Sequence, residues 1–266
     1  MVTAPVALSS CRVADGGVVR DSTRPAGLRD ARYALQFDWT TLFYDVYRVG
    51  EHIVFQGPPL RNFAPLLKQS SYFAPKFRRL WPHAELIERN HASEIWVRDP
   101  SESIVIDGAL GHHAIEVQPD LSPIFAGRRV VTTLSKDNDI DWIVDWIRFY
   151  VRIHGADAVL LYDNGSNAYE TSELRARLDE AFPDLAIVVV DWPFPYGPQG
   201  GAAGAVDGVE APWDSDFCQT GSLQHARHRF LRTAKSVLNV DIDELVLSTR
   251  GRSIFAATES SWSGFV

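Results

Sequence analysis

The stretch RRVVTTLSKDNDIDWIVDWIRFYVRIHGADAVLLYDNGS, residues 128–166, decides the fold. RRVVTTLS is dense in β-branched residues and reads as a strand. DWIVDWIRFYVRIHG places Ile143, Ile147, Tyr150 and Val151 at helical spacing and stops at Gly155. AVLLYDN reads as a second buried strand. Downstream, SELRARLDEAF is an amphipathic helix closed by Pro183, and AIVVVDWPF is a third strand. A polar Gly-rich loop is expected over Pro195–Pro212, a long helix over about Asp216–Ser236, and a fourth strand in VLNVDIDELVLS. Strands alternating with helices are the sequence form of a mostly parallel α/β sheet flanked by helices.

Upstream the texture is different. FDWTTLFYDVYRV, HIVFQG, SEIWVRDP, ESIVIDG and HHAIEVQP are short apolar runs bounded by Gly, Pro or Asp. They predict a small antiparallel sheet or sandwich. FAPLLKQ and FAPKFRRLW, within 62–82, read as helical or irregular. The expected organisation is a poorly ordered leader over 1–30, a β-rich accessory domain over 31–126, and the α/β domain over 127–266. The boundary is expected near SPIFAG.

Composition narrows the function. The chain has 266 residues, 45% apolar, with 26 basic against 34 acidic side chains and a net charge of −8. Of that charge, −7 falls in residues 128–266. A nucleic-acid sleeve or an anionic-membrane coat needs a basic face, which this balance argues against. Cys11 and Cys218 sit in dissimilar contexts and read as reduced thiols, so the expected location is cytoplasmic or peripheral to the inner membrane. No apolar run approaches the ~20 residues of a membrane helix. LSSC at Leu8–Cys11 has the form of a lipoprotein cleavage box but lacks a basic start.

Ligands of parallel α/β sheets bind beyond the carboxyl ends of the strands. At those ends stand Thr132-Thr133 with Lys136-Asp137-Asn138, then Asp163-Asn164-Gly165-Ser166-Asn167, then Asp191-Trp192, and last Asp241-Ile242-Asp243-Glu244. Asp241 and Asp243, two residues apart after an apolar strand, suit a hard divalent cation that prefers oxygen ligands. Such a cation would clamp a diphosphate. An exposed acidic turn is the plainer alternative, as a turn signature is for YDNGS. Asp163 could accept from a base or ribose hydroxyl. Gln219, Gln224 and His225 read as ordinary helix residues, and Trp142, Trp146 and Trp192 as core or rim aromatics. No P-loop, dinucleotide-binding or serine-hydrolase motif occurs.

TLSKDNDIDWIVDWIRFYVRIHGADAVLLYDNGS resembles the opening of glycosyltransferase family 92 and its bacterial relatives, of the GT-A, family 2-like type. The stretch from Gln219 to Leu245 resembles that family's Gln-bearing helix followed by Asp-x-Asp-Glu. VFQGPPL and SEIWV are compatible with its accessory region. The likeness spans about Val130 to Leu247. It implies a GT-A-like fold and an enzyme that moves a sugar from a nucleotide diphosphate sugar, a uridine diphosphate sugar above all, to a hydroxyl of a glycan or lipid-linked acceptor. It implies Mn²⁺ or Mg²⁺ held by Asp241 and Asp243. It also implies Thr133, Lys136, Asp163, Asn164 and Gln219 in the nucleotide-sugar site.

The chain departs from the family where Lys136 is followed by Asp137 rather than Asn-Glu, and where Gln224-His225-Ala226 stands in place of Asn-x-Cys. An acceptor-shaping segment with a catalytic carboxylate is expected after the acidic motif. Glu259 is the only later carboxylate beyond Glu244, so the base is unassigned and the chain is expected to be truncated at its C-terminus. A non-catalytic sugar-nucleotide or glycan-binding remnant is the alternative. A haloacid-dehalogenase-type phosphatase is a third reading. It fits poorly, because its D-x-D opens the domain and Leu245 stands where its Thr would be.

Overall fold

The computed structural model describes residues 6–14, 16–74, 76–78, 81, 83–198, 214–248 and 251–265. The chain divides into two compact units. The first comprises Ala7–Asp120 and Phe194–His225. The second is built from Leu121–Pro193 and Ala226–Val266.

The first unit is β-rich, and its strands pair antiparallel, with one isolated parallel bridge between Tyr47 and Gln118. The short strands β1 (Cys11–Arg12) and β2 (Thr41–Phe43) pair with each other, and between them lies a turn of helix, α1 (Tyr33–Gln36). Strands β3 (Asp45–Val49) and β4 (His52–Gly57) form a hairpin. After α2 (Phe63–Gln69) come β5 (Ser71–Ala74), β6 (Lys76–Arg78), β7 (Ala84–Glu88), β8 (Ser93–Arg98), β9 (Ser103–Gly108) and β10 (Gly111–Glu116). One sheet runs β3-β4-β8-β7 and another β10-β9-β5-β6.

Ile104, Ile106 and Ile115 alternate inward from β9 and β10 to a core with Phe43, Ile53, Phe55, Phe63 and Ile95. That alternation is what a sheet with one wet face requires. FAPLLKQ forms the helix α2, but the following residues do not stay helical. Tyr72 is buried opposite Ile106 as β5 pairs with β9. The cross-strand burial of Tyr72 outweighs the local preference read from sequence.

Both cysteines are buried, and neither is in a disulfide. Burial, and then the charge of Asp45, push the Cys11 thiol up to about 12, which leaves it unreactive as a nucleophile. No helix among the described residues is long and apolar enough to cross a membrane.

The second unit holds a four-stranded, wholly parallel sheet. Strand β11 (Arg129–Ser135) is followed by α3 (Ile140–Phe149), which runs on as a π-helical turn, Tyr150–His154. Gly155, at φ +69°, ends it in a left-handed conformation that favours glycine. Then come β12 (Ala158–Asp163), α4 (Thr171–Ala181) and β13 (Ala186–Asp191). The Gly-rich loop expected over Pro195–Pro212 lies mostly outside the described residues.

Helix α5 (Phe217–His225) belongs to the first unit. There His225 Nε2 meets Asp45 Oδ2 at 2.9 Å, with both side chains fully buried. Gln56 Nε2 donates to the Gly221 carbonyl at 2.7 Å. A Cβ on Gly221 would stand 2.4 Å from the Tyr44 ring, so this close approach needs glycine. His225 is thus a buried partner of a carboxylate rather than an ordinary helix residue.

A π-helical turn, Ala226–Phe230, follows, and then β14 (Ser236–Asn239) and α6 (Ile254–Ser260). The helix therefore ends at Phe230, short of Ser236. Leu231 N–H bonds the Ala226 carbonyl at 2.8 Å, and Lys235 N–H already bonds Arg128 at the start of the sheet. The fourth strand is also shorter than its apolar run, because its pairing with β11 ends at Thr132↔Asn239.

Strand order is β13-β12-β11-β14. Val131, Val159, Leu161, Ile187 and Val189 pack with Ile143, Ile147, Leu174 and Leu178 of α3 and α4. Asp139 caps α3 by accepting from Asp141 N–H.

At the amino ends of β11 and β14, Glu259 of α6 accepts from Arg129 Nε at 2.7 Å and Nη2 at 2.9 Å, from Ser236 Oγ at 3.0 Å, and pairs with Lys235 Nζ at 2.9 Å. The bonds from Arg129 first, then Lys235, hold its carboxyl well below the usual carboxylate range. A depressed pKa stabilises the fold above the ordinary glutamate value, and that contribution is lost as pH falls through the folded value. Glu259→Gln is therefore expected to melt below the wild type at neutral pH, and the gap to narrow as pH falls below about 5 and to close only as pH passes through the depressed folded value. A gap independent of pH in thermal melts would refute the assignment.

Candidate active site

Because the sheet is parallel, all four strands deliver their carboxyl ends to one side. Chain order makes one place there special. The connection leaving β11 leads to β12 on one flank, while β14 joins β11 on the other. Loops on the two sides of that reversal part from each other, which is where open α/β sheets receive ligands. The segments bordering it are Lys136–Asn138 after β11 and Val240–Glu244 after β14.

The loop after β11 is drawn toward β12. Lys136 Nζ donates to the carbonyls of Asn164, at 3.0 Å, and Gly165. Asp137 N–H donates to Ser166 Oγ at 2.8 Å, and Asp137 Oδ1 accepts from the amides of Asn167 and Ala168. Those amide bonds lower the Asp137 carboxyl pKa, the bond from Asn167 most. The residue takes φ +53°, in the left-handed region that aspartate tolerates better than most.

Asp163 is buried at the end of β12, and both of its oxygens are used by its own loop. Ser166 Oγ donates at 2.5 Å, Ser166 N–H at 3.3 Å, and Thr171 Oγ1 at 3.3 Å, with Tyr169 Oη at 3.5 Å. A ligand hydroxyl would have to displace one of these. Asn164 is buried too, its Nδ2 donating to the Trp192 carbonyl at 2.8 Å and its amide to Ser135. Gly165 keeps φ +65° over Pro193.

The ends of β11, β12 and β13 are thus laced into one rim. Thr133 lies inside β11, buried opposite Leu161, two residues before the strand end. Gln219 is half-buried on α5 and belongs to the first unit, whereas the other six sequence-derived site residues belong to the second.

The segment after β14 alternates. Val240 is buried and Ile242 half-buried in the sheet core, while Asp241, Asp243 and Glu244 are exposed. Glu244 N–H closes a turn on the Asp241 carbonyl at 3.1 Å. Partial burial, then the charges of Glu244 and Asp243, raise the Asp241 carboxyl pKa. Among the described residues no Lys, Arg or His forms an ion pair with these three carboxylates. Asp191, at the end of β13, is likewise raised by burial and then by Asp163 and Glu170. The mouth is therefore acidic on both flanks, and Lys136, the basic residue of the loop after β11, is held by carbonyls.

Sequence reasoning missed the residues that hold the acidic turn in place. Trp146 Nε1 donates to the Asp241 carbonyl at 2.9 Å. Tyr150 Oη donates to the Glu244 carbonyl and accepts from Val246 N–H, both at 3.1 Å. His154 Nδ1 accepts from Ile254 N–H at 3.1 Å, so Nε2 carries the proton that it donates to the Val246 carbonyl at 2.8 Å. The only signal in the sequence was three ring side chains spaced four apart on α3 and its π turn. Periodicity reports their face but not their partners.

Compared with known protein families and with curated proteins, the chain matches none.

A divalent cation suits this donor set. Asp241 and Asp243 are hard oxygen ligands whose mutual repulsion a cation would relieve. Among the described residues no group of three His, Cys, Asp or Glu could hold a metal alone. Two carboxylates completed by phosphate oxygens and water is the usual arrangement for Mg²⁺ with a phosphorylated ligand.

Proposed function

We propose that this chain carries the nucleotide-sugar-binding domain of a metal-assisted, GT-A-like glycosyltransferase resembling family 92. The observation that carries the reading is an acidic turn at the strand-order reversal of a parallel sheet, with no ion-pair partner among the described residues. A diphosphate cannot approach that turn unaided, because like charges repel. Asp241 and Asp243 would hold Mn²⁺ or Mg²⁺, and the bound cation would neutralise the diphosphate as it departs. Lys136 keeps a third N–H for a phosphate oxygen. Asn164 and Asp163 shape the rim along which the nucleoside would lie.

In the transfer, an acceptor hydroxyl oxygen bonds to the sugar's anomeric carbon. The bond to the diphosphate breaks, and the diphosphate leaves with the electron pair. The hydroxyl proton goes to a base. Glu259 is no candidate, since it pairs with Arg129 and Ser236 at the amino ends of the strands. Strand β11 has 7 residues, so about 20 Å separates that end from the mouth. The same observation favours one second reading, a nucleotide-sugar binder without turnover.

Titration with uridine diphosphate tests both. Binding is expected with Mn²⁺ and not with a chelator. Asp241→Asn with Asp243→Asn is expected to weaken it by at least about tenfold without changing the melting temperature. Binding that ignores the metal, or the double substitution, would sink the reading. Release of free nucleotide from a uridine diphosphate sugar separates enzyme from binder.

A further inference from the structure

Val240 N–H still donates to the Thr132 carbonyl at 3.2 Å, but beyond it the acidic segment has no ladder partner among the described residues, so its backbone needs other anchors. The three rings supply them. Trp146, Tyr150 and His154 lie along one side of α3 and its π turn, all at 2% exposure or less. Their polar atoms meet the main chain at Asp241, at Glu244 and Val246, and at Val246 again. The rings also brace one another. Trp146 meets Tyr150 edge-on at 5.3 Å, and Tyr150 stacks on His154 at 5.7 Å. Tyr150 is the middle rung, since its hydroxyl bonds both sides of the turn's last peptides.

The π turn fits this task. Such turns are rare, change the angular step of a helix, and recur at functional sites. Here the turn begins at Tyr150 and ends at His154. It therefore spans two of the three anchors.

We propose that Trp146, Tyr150 and His154 are positioning residues of the acidic turn. They fix the backbone from Asp241 to Val246 and so set the spacing of the Asp241 and Asp243 carboxylates. The assignment rests on the reading of that turn as a cation site. Partners that orient metal-holding groups typically alter affinity by about 10–100-fold when removed. Tyr150→Phe and Trp146→Phe delete the O–H and N–H but keep apolar rings in the same place.

The test uses the full chain, with two readouts. The first is amide hydrogen exchange at Val246 and its neighbours without metal. The second is Mn²⁺ affinity, from the loss of the free-ion paramagnetic resonance signal in the presence of uridine diphosphate. Tyr150→Phe is expected to speed exchange at Val246 by at least about tenfold and to weaken Mn²⁺ about tenfold, with little change in melting temperature. Trp146→Phe is expected to weaken Mn²⁺ similarly. Unchanged exchange overturns the proposal, and so does faster exchange with unchanged affinity. If exchange quickens in the variants but the wild type takes up no Mn²⁺, the cation reading itself has failed and this assignment falls with it.

Discussion

Arg20→Met is expected to cost the first unit about 3–5 kcal/mol, the range for breaking one side of a buried ion pair. Arg20 is fully buried. Its Nε donates to the Pro59 carbonyl at 2.8 Å, and its two terminal nitrogens donate to the carbonyls of Asp38 and Thr41. It also pairs with Asp38 Oδ1 at 3.5 Å and lies over the Phe63 ring at 4.9 Å. Burial lowers its pKa, and Asp38 opposes that shift.

Methionine fills much of the volume but leaves three carbonyls without the guanidinium and deprives the buried Asp38 carboxylate of its cation, leaving it only the Thr41 N–H at 2.9 Å among the described residues. Lysine is not a conservative replacement, because one ammonium cannot reproduce the guanidinium's flat fork. Urea unfolding followed on the first unit's transition provides the measurement. A midpoint equal to the wild type's would show that Arg20 does not tie Pro59, Asp38 and Thr41 together.

The second large effect is expected at Asp163. Asp163→Ala removes the acceptor of Ser166 Oγ, Ser166 N–H and Thr171 Oγ1 at once. Bonds to a buried charged group contribute more than neutral ones, and unpaired buried donors cost about 1–3 kcal/mol each. Part of the loop will turn to water, so about 3 kcal/mol is expected overall.

The consequence reaches the rim, because Asp137 N–H hangs on Ser166 Oγ and Lys136 on the carbonyls of the same loop. Uridine diphosphate affinity should therefore fall together with stability. Asp163→Asn should lose less, since one oxygen acceptor survives. Unaltered exchange at the Ser166 amide in Asp163→Ala would contradict this account. The contrast with the acidic turn is useful. Asp163 should lower stability and binding together, whereas Asp241 and Asp243 should lower binding alone.

Much of the second unit is legible in the sequence. The strands within RRVVTTLS, AVLLYDN and AIVVVDWPF are rich in apolar and β-branched residues and are buried on both faces, as strands of a covered parallel sheet are. The helix between the first two announces itself by spacing and by Gly155. The polar clusters at the strand ends follow from the same reading, although Asp163 and Asn164 turn out buried and bonded within the rim rather than facing water. Fold class and the candidate acidic turn are therefore properties of local pattern.

Other features depended on pairing across the chain, which local pattern does not encode. The order β13-β12-β11-β14 sets β14 beside β11, and so makes the turn after β14 a neighbour of the reversal point. A chain with β14 outside β13 would have the same periodicities. SYFA became a strand because β9 offered Tyr72 a buried partner. Glu259 fell at the wrong end for a base because α6 sets it against the first residues of β11 and β14. Trp146 reads in the sequence as a core or rim aromatic and Tyr150 as one position of a helix face, and the backbone they bond comes into place only with the fold. Burial period is set by neighbours a few residues away. Hydrogen-bond partners 90 or more residues away, as for Trp146 and Asp241, are set only when packing closes the sheet.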